Sequence, residues 1–142
     1  MAAALLRQLV EREPALADTR IESAGIAASA GDPAAPDAIA LMRRRGLDLD
    51  AHRARSIDGE AVRGAELILT MTPDHLDTLR RRFPEAANKM CTLAEYAGGT
   101  EVIADPFRRG MPVYEACVAQ LEPLLAQVVE RLRATSSESS CP

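Results

Sequence analysis

Leu67-Ile68-Leu69-Thr70-Met71 is followed directly by Thr72-Pro73. A run so apolar, with no polar alternation, reads as a strand covered on both faces, which is the condition of a parallel sheet. Thr72 carries the side chain of a helix N-cap. Pro73 suits the first helical position, where its missing N–H is no loss. A buried strand that runs straight into a capped helix predicts an α/β chain, with helices packed on a sheet.

Working outward, the helix begun at Pro73 extends to Phe83-Pro84, with Arg80, Arg81 and Arg82 in its last turn. A further strand is expected over 89–93 and a long loop over 94–111. A final helix over 113–133 places Val113, Cys117, Leu121, Leu125, Val128 and Leu132 on its inner face, with Pro123 as a possible kink. Upstream, 58–64 reads as a short helix and 47–56 as a polar connector. A helix is expected over 37–45, with Arg43, Arg44 and Arg45 in its last turn and Gly46 as its stop. Residues 24–36 form a loop of small residues and 19–23 a short strand. The first helix, over 2–13, turns Leu5, Leu6, Leu9 and Val10 to one side and ends before Pro14.

This order, α-β-α-(α)-β-α-β-loop-α, predicts a three-layer α/β fold: a parallel sheet with helices on both faces. Such chains normally open with a strand. This one opens with a helix, so a missing first strand is expected, and with it open strand edges and a poorly stable or self-associating chain. One domain over 1–133 and a disordered Ser-rich tail over 134–142 complete the expected organisation.

The 142 residues suffice for one domain with a sizeable core. A net charge of −4 argues against nucleic acid and anionic membranes as partners. Both arginine triplets sit at helix C-termini, where cations complement the helix dipole, and read as solvated ends. No apolar run reaches the length of a membrane span. Three cysteines, Cys91, Cys117 and Cys141, form neither a CxxC pair nor a metal-ligand pattern, which fits a reducing, cytoplasmic setting. Cys91 and Cys117 read as buried small hydrophobes and Cys141 as an exposed tail thiol.

The long loop holds Ala104-Asp105-Pro106-Phe107. Proline restricts the residue before it to extended backbone, so Asp105 sits in a stiff segment able to hold a carboxyl group still. By itself this is as much a turn former as a catalytic acid. His52 and Ser23 are, likewise, ordinary structural residues when read alone.

Taken together, Met1-Ala2-Ala3-Ala4-Leu5-Leu6, Ser23-Ala24-Gly25, His52-Arg53-Ala54-Arg55, the strand 67–71, and Asp105-Pro106-Phe107 followed by Tyr114 give an order and spacing that resemble the low-molecular-weight protein tyrosine phosphatases. The resemblance is to the bacterial branch, which includes protein-arginine phosphatases, and covers almost the whole chain. It implies that Asp105 protonates the leaving group and then serves as base for the hydrolytic water. It implies that Phe107 forms a wall of the substrate cleft and that Ser23 and His52 brace the phosphate loop from behind. Tyrosine-directed members tend to carry a second aromatic where this chain has Arg108, and the opposite wall, near Ala28 and Ser29, is small. Phosphotyrosine, phosphoarginine or a small aryl phosphate are thus the implied substrates, with no metal and no cofactor.

In that family a thiolate attacks phosphorus from a loop of the form Cys, five residues, Arg, whose backbone N–H groups cradle the phosphate. Six positions after Cys91 stands Ala97, and six after Cys117 stands Pro123. Neither they nor Cys141 make that pattern, so this chain is expected to be inactive or nearly so. The alternatives are a non-catalytic phosphatase-like binding module and an arsenate reductase, the latter needing a relay of neighbouring cysteines.

Overall fold

The computed structural model describes residues 1–135. Helix α1 spans Ala2–Val10, α2 Pro36–Arg44 and α3 Gly59–Gly64. Strand β1 is Ile68–Thr70, α4 Pro73–Arg82, β2 Met90–Thr92, α5 Leu93–Ala97 and α6 Met111–Ala134. Short 3₁₀ turns at Pro14–Leu16 and Pro84–Lys89 follow α1 and α4.

The two strands pair in parallel, Ile68 opposite Met90, Leu69 opposite Cys91 and Thr70 opposite Thr92. Side chains alternate across a strand, so the pairing sorts them into two layers. Leu69 and Cys91 join the main core with α1, α2, α5 and α6. Ile68 and Met90 join a second core with Val62 of α3 and Leu76 and Leu79 of α4. Both faces are covered, which is why the strand sequence is apolar without a break and why the fold is three-layered.

The helix boundaries follow their caps. Thr72 accepts the His75 N–H at 3.2 Å and Pro73 opens α4, as expected. Gly46 takes φ +74° directly after the turn that ends α2, a conformation that costs a side chain more than it costs glycine. α6 continues through Pro123 for 24 residues, reaching one residue into the expected tail. Residues 136–142, including the rest of that tail and Cys141, lie outside the described residues. Cys91 and Cys117 are buried, as their type suggests.

Three expectations need correction. Residues 19–23 do not form a strand. Their backbone meets no ladder among the described residues, and the Ile21 carbonyl instead accepts the Arg7 guanidinium at 2.9 and 2.7 Å. Only Gly25 pairs nearby, in a single bridge to Ser56. The loop expected over 94–111 opens with α5, nucleated by a capping box in which Thr92 accepts the Glu95 N–H and Glu95 accepts the Thr92 N–H. Finally, the arginines at the end of α2 are not merely solvated: Arg43 meets Asp50 at 2.9 Å, Arg44 meets Glu115 at 3.2 Å, and Arg45 meets Glu122. The last two tie α2 to α6.

Candidate functional site

Residues 98–110 cross from α5 to α6 at the carboxyl end of β1, where the Ile103 N–H reaches the Met71 carbonyl at 3.3 Å. Two residues anchor the crossing: Ile103 in the main core and Pro106, also buried. Asp105 lies between them and is exposed. Its Oδ1 accepts the Phe107 N–H at 3.0 Å, the turn expected of an Asp at such a site. The carboxyl group is thus held by its backbone, with one oxygen occupied.

Phe107 follows with 54 % of its surface exposed, one of two large hydrophobic residues so exposed among those described. A turn closes behind it, Arg109 N–H to the Pro106 carbonyl at 3.0 Å. Arg108, the third residue of that turn, adopts φ +59°, a left-handed conformation uncommon outside glycine and costly for a long side chain. Its guanidinium lies 5.1 Å from the Phe107 ring centroid, a cation–π distance.

A cleft of about 240 Å³ opens beside this loop. Asp105, Pro106 and Phe107 line it together with Pro33, Ala34, Ala35, Ala38 and Leu49, and with Met1, His52 and Tyr114. The small wall expected near Ala28 and Ser29 is therefore built a few residues later, from Pro33 to Ala35. His52 is exposed, and its imidazole is held below its ordinary pKa by desolvation first and then by the positive charges around it, Arg7 and Arg53 among them. Ser23 is exposed and not part of the cleft lining; its carbonyl accepts Arg55 Nε at 3.2 Å. No hydrogen bond joins the Ser23 and His52 side chains among the described residues. The fold thus brings Asp105, Phe107 and His52 to one cleft, with Arg108 over the Phe107 ring but outside the lining, and Ser23 apart.

The sequence profile of the low molecular weight phosphotyrosine protein phosphatases matches residues 1–138. The chain belongs to this phosphatase family. A protein-arginine-phosphatase of Geobacillus stearothermophilus is 36% identical over 134 residues, covering 94% of this chain and 86% of that protein. A probable low molecular weight protein-tyrosine-phosphatase, EpsP, of Ralstonia solanacearum is 35% identical over 134 residues, 94% of this chain and 87% of that one. Among solved structures, the YwlE arginine phosphatase from Geobacillus stearothermophilus superposes with a TM-score of 0.86 at 33% identity, covering 96% of this chain and 86% of that chain. Membership makes the chain a relative of protein phosphatases, hydrolases by class, and gives the Asp-Pro-Phe loop its context.

Tyr114 is a cleft residue to which the sequence attached no role. It was visible only as a spacing from Asp105. Its placement in the cleft depends on α6 starting at Met111, two residues earlier than its apolar periodicity suggests.

Proposed function

We propose that this chain supplies the acid/base and the substrate walls of a phosphatase acting on phosphorylated protein side chains, phosphotyrosine or phosphoarginine. The observation that carries the reading is Asp105, exposed at the cleft between the buried anchors Ile103 and Pro106 and beside the bare ring of Phe107. As a carboxylic acid, Asp105 gives its proton to the bridging oxygen or nitrogen while the bond to phosphorus breaks. As a carboxylate, it then takes a proton from the water that releases phosphate. Phe107 packs on the phosphorylated side chain. Arg108, whose guanidinium lies over that ring, adds positive charge beside it. Ser23 and His52 remain in this proposal as supports of the phosphate-binding backbone.

The attacking group is a different matter. None of the three cysteines stands six residues before an arginine, and Cys91 and Cys117 are buried, where a thiol stays protonated and unreactive. The 142 residues alone are therefore expected to hydrolyse an aryl phosphate no faster than background. An odd cysteine count, without the spacing of a disulfide framework, supports placing the protein in the cytoplasm.

The test compares this chain with a hybrid in which a strand and a Cys-five-residues-Arg loop precede Met1. The chain alone should be silent, the hybrid active on aryl phosphate or phosphoarginine, and the hybrid with Asp105→Asn slower by about 10²–10⁴. A hybrid that folds, binds phosphate and turns nothing over favours the binding-module reading, which the absent Cys–Arg spacing supports. Turnover by the unmodified chain would mean that another group here attacks phosphorus.

A further inference from the structure

A second cavity, of about 290 Å³, opens where the end of α5 meets the middle of α6. Gly99 and Glu101 line it from the loop, and Gln120, Pro123, Leu124 and Gln127 from the helix. Its polar groups are mostly acceptors. Glu101 is exposed, and its carboxylate makes no hydrogen bond or ion pair among the described residues. The carboxylate folds back over Gly99, where a Cβ would collide with Glu101 Oε2, so a glycine at 99 is what gives it room. Gln120 donates from Nε2 to the Val102 carbonyl at 3.0 Å, which leaves Oε1 as its unengaged acceptor. Pro123 has no N–H to give the Ala119 carbonyl one turn before it, so that carbonyl lacks its helical donor.

No lysine or arginine lines this pocket. The next arginine along α6, Arg131, is engaged elsewhere, its guanidinium 5.8 Å from the Tyr96 ring centroid. An acceptor set with one uncompensated carboxylate and apolar walls at Pro123 and Leu124 calls for a ligand that is all donors at one end and hydrocarbon behind.

We infer that this pocket receives an arginine side chain from a partner protein. A guanidinium presents five N–H donors in a plane, accepts nothing, and is less strongly hydrated than an ammonium, so it suits several separated acceptors beside apolar walls. Its propyl stem packs on Pro123 and Leu124 while the charged head meets Glu101. Val102 argues for an arginine carried on a chain. It follows Glu101, it is 55% exposed, and Gln120 holds its carbonyl, so it offers a fixed apolar contact to a residue flanking the arginine. The site is separate from the cleft of Asp105 and needs no turnover, so it goes beyond the proposed phosphatase activity and stands or falls without it.

The experiment titrates the nitrogen-15-labelled 142-residue chain with acetyl-leucyl-arginine amide. The backbone signals of Gly98 and Gly99 and the side-chain amides of Gln120 and Gln127 should move together and saturate. The net charge of −4 draws any cation weakly, so the lysine analogue is the control for charge and the neutral citrulline analogue the control for shape. Both should bind about two- to tenfold more weakly than the arginine peptide. Glu101→Gln, an exposed change that leaves the loop's backbone bonds alone, should weaken the arginine peptide by a similar factor. Gly99→Ala, which displaces the same carboxylate, should weaken it too. No saturable movement at these groups, an equal affinity for the lysine analogue, or an unchanged affinity in Glu101→Gln would each overturn the inference. Agmatine, the free alkylguanidine, should bind more weakly than the peptide. Equal binding by agmatine would overturn the assignment to a protein partner in favour of a small molecule.

Discussion

The interior around α6 and the cleft at its first turn share a helix and differ in almost everything else. In the interior, Met42, Val118 and Val128 are fully buried and Leu125 nearly so, an apolar contact network closed on all sides. At the cleft, Asp105 and His52 are exposed, Phe107 shows its ring, and Arg108 holds a left-handed backbone. The first region is arranged as stability alone requires. The second breaks the same rules at several adjacent positions, which is how proteins arrange groups that must meet a ligand. Stability and chemistry are thus separated along one helix, and each half can be attacked without the other.

The largest effect belongs to the interior. Leu125→Ala removes a side chain that is 1% exposed and leaves a cavity between helices that cannot easily close. It should cost about 2–5 kcal/mol, visible in urea and as a fall of the thermal midpoint on the order of 10 °C. A loss under about 1 kcal/mol would show that the interior is soft and that the contrast with the cleft is overstated.

Asp105→Asn should do the reverse. The amide oxygen still accepts the Phe107 N–H, and the side chain is exposed, so stability should stay within about 0.5 kcal/mol of the parent. The hybrid's turnover, in contrast, should fall by the factor given above. If the same variant unfolded the protein as Leu125→Ala does, Asp105 would be a structural turn residue and the cleft would lose its acid.

The two regions were also unequally readable in the sequence. Apolar periodicity is a statement about burial, so the strand at 68–70, the cap at Thr72 and the inner face of α6 were all visible in residue types alone. The strand expected over 19–23 was not there because a strand needs a neighbour, and no residue pattern within five positions reveals whether one is in reach. Arg7 satisfies the Ile21 carbonyl from fourteen residues away. α5 was missed although its capping box, Thr92 and Glu95, is a local signal. In the cleft, Asp105 and Phe107 could be named by likeness to relatives. Tyr114 joins them only because α6 starts early enough to bring it to the cleft.

A smaller effect tests the rim between the regions. Arg45 joins α2 to α6 through Glu122, with 35% of its side chain exposed. Exposed ion pairs offset little more than the entropy of holding two long side chains, so Arg45→Ala should cost under about 1 kcal/mol and less still at high salt. A larger, salt-independent loss would show the pair to be part of the interior and not its border.

The smallest expected effect is a pH dependence that only the cleft should show. The imidazole of His52 is held below its ordinary value of 6.5, so the folded protein prefers it neutral. Between the folded and unfolded pKa values the unfolded chain binds more protons, and stability therefore rises with pH through that window. Above 6.5 the full contribution is present. As pH falls below 6.5 it is lost, and the loss levels off once His52 is charged in the folded state as well. Glu22, whose carboxylate is held ionised by its hydrogen bond from Arg55, weakens the protein only when pH falls below its ordinary value of 4.5. A thermal series from pH 7.5 to 5 thus excludes Glu22 but still carries the Met1 amine, which burial holds below its ordinary value of 8.0, so the histidine's share is read from its substitution. His52→Gln should flatten the slope, whereas Leu125→Ala should lower the whole curve and leave its slope alone. Parallel curves for the parent and His52→Gln would mean that the cleft does not act on its histidine, and that the separation of the two regions is one of packing only.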